Sequence, residues 1–230
     1  MGGFRQWLQQ LQFGNLAELV ITVAASLLCI MIHECSHGLA ALWMGDDTAK
    51  RQGRLSLNPL RHVDLMGLIM MAIARFGWAK AVPVDMRRFH RPKFGMVLTA
   101  LAGPLSNVFL MLIALIVRAA LLVPYYTSEL QIWQYLVLFF EYTAVLSAGL
   151  AVFNLFPVPP LDGSKILFAL LPYRFYRKLL RYEHFGMIAL AVLLFSGLLD
   201  TPLNHMRSGL INAGNLLATP VFYFLISFAG

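Results

Sequence analysis

From Leu16 to Met44 the chain reads LAELVITVAASLLCIMIHECSHGLAALWM, an apolar run that carries His33, Glu34 and His37 towards its end. A helix rises about 1.5 Å per residue and roughly 20 apolar residues cross a bilayer, so this run is long enough for a membrane-spanning helix. The rest of the chain has the same character. Hydrophobic residues make up 59% of its 230 residues and charged residues 13%, with mean hydropathy +0.70. An ordinary soluble domain carries roughly 25% charged residues, so a water-coated globule is excluded, and so is a disordered chain. Cys29 and Cys35 share one apolar run and cannot form a disulfide framework. The composition implies an integral membrane protein.

Further apolar runs divide the chain. Residues 94–123 form a second span after the basic stretch Arg87–Lys93, and residues 131–156 a third. The third stops where Pro157, Pro159 and Pro160 forbid regular helix. Residues 185–199 are a shorter run and 210–228 a final one, which makes about five transmembrane helices in an all-α polytopic membrane protein. Leu65–Trp78 is apolar but only 14 residues long with basic flanks, so it reads as a re-entrant or interfacial segment. The weak alternation of Arg54–Asn58 and Ala81–Asp85 suggests short β-strands beside it. Residues 1–15 have no cleavage pattern and read as an interfacial lead-in to a retained span. The organisation expected is this lead-in, a core over 16–171 and C-terminal transmembrane helices over 172–230.

The net charge of +7 follows the spans. Ten of the 18 basic residues lie between Lys50 and Lys93 and five between Lys165 and Arg181, whereas the linker Val123–Leu130 has none. Basic loops mark the cytoplasmic side, so the linker and the N-terminus are expected outside and the C-terminus inside. The basic excess is a topology signal and a contact to the lipid bilayer rather than a nucleic-acid site. Arg118, late in the second span, is expected to snorkel to the outer headgroups.

The chemistry concentrates in His33-Glu34-Cys35-Ser36-His37. A spacing of four places both imidazoles on one helix face, where they can grip one metal ion. Glu34 stands about 100° round the helix, placed to serve a water at the metal without being a ligand. Cys35 points to roughly the opposite side from His33 and is not counted as a ligand. Three ionisable groups inside a span are costly and usually functional. A hydrolytic zinc site has three protein ligands and an open fourth position, so another segment must supply the third.

Asp162 is the strongest candidate for that ligand. It follows the Pro157–Pro160 break and precedes Gly163 at the cytoplasmic end of the third span. Its alternative role is an N-cap for a helix starting near Ser164. Helix rise places His37 roughly 10–16 Å inside the cytoplasmic boundary, the side from which Asp162 also approaches. In Ala102-Gly-Pro-Leu-Ser-Asn107, Gly103 permits close backbone approach, while Asn107 is either an oxyanion donor or a structural residue at a kink. His62, in the basic loop, reads as an interfacial polar residue, with gating or substrate contact as its alternative role.

HECSH in one span, GPLSN (103–107) in a later one and NLFPVPPLDG (154–163) after that resemble the site-2 protease family of intramembrane zinc metalloproteases. Gly53–Pro59 with His62 and Asp64, and Gly77–Pro83, extend the likeness over about Ile30–Ser164. The resemblance implies one zinc ion held by His33, His37 and Asp162, with Glu34 as catalytic base. It also implies that Asn107 and Asn154 serve the site or the substrate strand. The substrate it implies is a transmembrane-helix protein, cut from a multi-pass position in a bacterial inner membrane with the active site nearer the cytoplasm. The chain looks like a compact member without a PDZ domain. A non-catalytic adaptor that binds transmembrane helices and a metal transporter are the rival readings. Neither the substrate's identity nor an oligomeric state is legible.

Overall fold

The computed structural model describes residues 16–64, 80–170 and 183–228. Seven α-helices lie in these residues: α1 (Leu16–Trp43), α2 (Thr48–Arg51), α3 (Pro92–Thr127), α4 (Gln131–Asn154), α5 (Asp162–Leu170), α6 (Glu183–Ser196) and α7 (Asp200–Ile226). Among the described residues, α1, α3, α4 and α7 are long and apolar enough to cross a membrane.

Of the five runs expected to span, four reach that length among the described residues. α6 has 14 described residues, which cover about 21 Å against a hydrocarbon core of about 30 Å. It stops at Gly197, whose φ of +73° is a left-handed conformation that favours glycine. The last span begins at Asp200 rather than Leu210, because Pro202 falls in the first turn, where a missing N–H costs nothing. The expected lead-in (1–15) and re-entrant segment (65–78) lie outside the described residues. Neither Arg54–Asn58 nor Ala81–Asp85 forms the expected strand. Both are irregular, and the hydrogen bonds holding them come from side chains and single backbone pairs rather than from a ladder.

Two compact units divide the chain. One combines the residues up to Cys29 with Asn107–Phe153 and the residues from Phe185 onward. Its core is built largely from small side chains on α3, α4 and α7, among them Ala114, Ala144, Ala148 and Ala218, around Met111 and Leu115. Small residues let helix backbones approach closely, which drives packing where lipid is as apolar as the side chains. Gly214 extends this logic, since a Cβ there would stand 3.2 Å from Cε of Met111. Two polar contacts within this unit run between helices. Ser147 donates to Sγ of Cys29 at 3.2 Å, and Arg118 of α3 forms an ion pair with Glu141 of α4. Arg118, expected to reach towards the headgroups, has a carboxylate on the neighbouring helix as its partner.

The second unit comprises Ile30–Ser106 and Asn154–His184. Ala41, Met44, Phe89, Met96 and Phe168 form its core. The chain leaves α1 through Gly45, at φ +105°, where any side chain would strike the ring of His90. The next residue, Asp46, is fully buried and accepts from the backbone N–H of Thr48 at 3.0 Å and of Asp85 at 2.6 Å. Asp85 in turn caps the short 3-10 turn Met86–Arg88 by accepting from the N–H of Arg87. The Arg87 side chain holds the Asp85 carboxyl below the usual carboxylate range.

Candidate metal centre

His33 and His37 stand one turn apart on α1, and Asp162 opens α5, all three within the second unit. Their ligand-capable atoms converge. The Nε2 atoms of the two histidines are 3.0 Å apart, and Oδ2 of Asp162 lies 3.2 Å from that of His33 and 3.0 Å from that of His37. All three residues are buried. The imidazoles meet edge to face with centroids 4.6 Å apart, which turns both Nε2 atoms towards the carboxylate.

The hydrogen bonds decide which atoms carry lone pairs. Nδ1 of His37 lies 2.6 Å from the Thr99 carbonyl oxygen, which can only accept, so Nδ1 bears the proton and Nε2 is free to ligate. Lys165 Nζ donates to Oδ1 of Asp162 at 2.9 Å. That leaves Oδ2 buried and without a hydrogen-bond donor. Such an orphaned acceptor is costly unless a cation sits against it. The spacing suits a cation as well: tetrahedral bonds of about 2.0–2.1 Å require ligand atoms about 3.3 Å apart. The donor set therefore fits zinc, and His33, His37 and Asp162 are the residues that could hold it.

Local sequence explains how Asp162 gets there. α4 ends at Asn154, and the chain turns through Pro157–Pro160 with Val158 N–H donating to the Phe156 carbonyl at 2.9 Å. Gly163 packs against this turn, where a Cβ would stand 2.6 Å from the Phe156 carbonyl oxygen. α5 starts at Asp162 itself, so this residue lies inside the first turn and its carboxylate faces the histidines instead of capping. Gly103 of α3 makes the close approach its residue type suggested, and the neighbours are the ligands. A Cβ on Gly103 would stand 2.7 Å from Cε1 of His33 and 2.6 Å from Cε1 of His37. Gly103→Val should therefore displace both rings and weaken zinc binding at least about tenfold, as competition with a chelating dye would measure. Zinc affinity unchanged in a folded Gly103→Val protein would contradict this account.

The remaining sequence-derived residues separate. Glu34 is half-buried, and its Oε2 accepts from the backbone N–H of Val82 at 2.8 Å. Cys35 is not a ligand, because its thiol donates to the Ser56 carbonyl at 3.4 Å. His62 is only 2% exposed, not interfacial: its Nε2 lies 2.8 Å from the same carbonyl and 3.7 Å from Sγ of Cys35. Asn154 closes α4, eight residues before Asp162. Asn107 is fully buried on α3, in the first unit. Sequence reasoning missed Thr99 and Lys165. Lys165 was detectable as an i,i+3 partner of Asp162, but a backbone carbonyl such as that of Thr99 leaves no residue signal.

Two imidazoles on the membrane-length helix α1 and a carboxylate on the short helix α5 make a candidate metal centre in a membrane protein, and comparison with known proteins specifies its class. Residues 122–198 match the description "Peptidase family M50". The chain is 39% identical over 198 residues to "Putative zinc metalloprotease YwhC" of Bacillus subtilis, covering 85% of this chain and 86% of that one. It is 28% identical to "Putative zinc metalloprotease Rip2" of Mycobacterium tuberculosis, over 87% of this chain and 77% of that one. The protein of the same name from Mycolicibacterium smegmatis is 27% identical over 79% and 69% of the two chains. No solved structure matches the chain. The chain belongs to peptidase family M50, the site-2 proteases, and is a metalloprotease by that membership.

Proposed function

We propose that this chain is an intramembrane zinc endopeptidase that hydrolyses a peptide bond in or beside a transmembrane helix of another protein. One observation carries the reading: the two imidazole Nε2 atoms, on a membrane-length helix, and Oδ2 of Asp162 converge at 3.0–3.2 Å on a buried site. When bound, zinc supplies a Lewis acid that polarises the scissile carbonyl and activates water near neutral pH. His33, His37 and Asp162 hold it, and Thr99 and Lys165 keep the ligands in register. The Glu34 carboxylate accepts the proton of the attacking water and delivers it to the leaving amine. Asn154, in the same unit as the ligands, serves the oxyanion or the substrate strand.

A helical substrate hides its carbonyls in its own hydrogen bonds and must be locally unwound before attack. The irregular backbone of residues 155–161 is tolerable at membrane depth only where it lines a cavity or is buried in protein, which supports a wet cleft. The basic loops support a cleft opening to the cytoplasm, in a bacterial inner membrane. An adaptor would have no use for Glu34, and a transporter would need further polar ligands along a path.

The test is cleavage of a helical membrane peptide by the purified protein. Complete zinc chelation should reduce the rate at least about 100-fold, and one equivalent of zinc should restore it. Undiminished cleavage after chelation, or zinc flux across liposomes without cleavage, would reject the reading.

A further inference from the structure

The Glu34 side chain is held by a segment 48 residues away in sequence. Val82 precedes Pro83, which restricts it to extended backbone. Its N–H therefore has a set direction, and it donates to Oε2 of Glu34 at 2.8 Å. A hydrogen bond to a carboxylate is charge-assisted, so it restrains a long, otherwise rotatable side chain.

This extended segment, Lys80–Asp85, is not part of a sheet, yet it is tied at both ends by buried charged residues. At one end Arg54, only 7% exposed, donates to the carbonyls of Lys80 and Ala81. The N–H of Lys80 also donates to the carbonyl of His62 at 2.9 Å. At the other end the buried Asp46 carboxylate accepts the N–H of Asp85. Between the ties, Gly38 lies one turn beyond Glu34 on the same face of α1. A Cβ on Gly38 would stand 3.1 Å from Cγ1 of Val82 and press on Leu55, so its absence lets the segment lie against the helix.

We infer that Lys80–Asp85 is a strap that sets where the Glu34 carboxylate stands, with Arg54 and Asp46 as its positioning residues. The inference rests on the reading of Glu34 as the base and extends it. One carboxylate oxygen is committed to Val82 N–H, which leaves Oε1 to exchange the proton. A base misplaced by about 1 Å loses on the order of 100-fold in rate, so the strap acts on the chemical step rather than on substrate or metal binding.

The experiment has two arms on the zinc-loaded full chain. In the first, hydrogen exchange at the Val82 amide should quicken at least tenfold in Glu34→Ala, while the Asp85 amide, held by Asp46, stays slow. In the second, Val82→Pro, which deletes the N–H but keeps the extended backbone, and Arg54→Met should lower kcat on a helical membrane peptide about 10- to 100-fold. KM and zinc stoichiometry should stay within twofold, and Arg54→Lys should recover most of the rate. Unchanged Val82 exchange in Glu34→Ala would overturn the strap. So would loss of zinc together with kcat in Arg54→Met, because the tie would then support the whole site. A wild-type protein that cuts nothing fails the endopeptidase reading alone, and the exchange result then decides the strap.

Discussion

Glu34→Gln should abolish peptide cleavage, lowering kcat at least about 1,000-fold, while the protein still binds one zinc ion. General acid–base catalysis by a positioned side chain is worth about 100- to 10,000-fold. Here one group is asked both to take a proton and to return it. The substitution is nearly isosteric, and the amide oxygen of Gln can still accept from Val82 N–H, so the side chain keeps its place. Its amide cannot take up a proton near neutral pH. The three metal-facing atoms are untouched, since Oδ2 of Asp162 meets the histidines and not Glu34. Rate and zinc content measured on one preparation separate the two effects. A Glu34→Gln protein that cuts at a tenth of the wild-type rate would show that another group carries the proton.

The second large effect belongs to Asp162→Ala, which should weaken zinc binding more than 100-fold and silence the protein at stoichiometric zinc. Loss of an outer-shell partner typically costs a metal site 10- to 100-fold in affinity, and Asp162 is a direct ligand candidate, so its loss should exceed that range. The change leaves the His33 and His37 lone pairs with no third donor, and it also strips Lys165 of its carboxylate. Insertion should survive, because the apolar length of α1, α3, α4 and α7 does not depend on this residue. Competition with a chelating dye reads the affinity, and far-UV circular dichroism confirms that helix is kept. Wild-type affinity in Asp162→Ala would remove the residue from the metal site, and the 3.0–3.2 Å convergence would then need another explanation.

Much of this architecture is legible without coordinates because its causes are local. Apolar length marked the spans, and the i,i+4 spacing of His33 and His37 put both rings on one face whatever surrounds them. Among the described residues, four of the five expected runs reach the length of a span, and the one that falls short lies towards the C-terminus. The last span was expected from Leu210, where the uninterrupted apolar run begins, yet the helix starts at Asp200 and takes in Asn204, His205 and Arg207. His62 was misplaced for a related reason, and Arg118 has a partner that its residue type does not announce. Residue type favours headgroups or an interface for both, and nothing local announces Glu141 or the Ser56 carbonyl as a partner.

The sequence by itself therefore determined the membrane class, the pair of imidazoles and the acid beside them, since each follows from composition or from the geometry of a single helix. Only the tertiary structure decided that Asp162 is the carboxylate facing them rather than a helix cap. It likewise decided that Gly103 clears space for the rings, that Thr99 sets the tautomer of His37 and that Val82 restrains Glu34. These choices depend on which backbone carbonyl or N–H stands within about 3 Å of a side chain, and segments remote in sequence supply those groups.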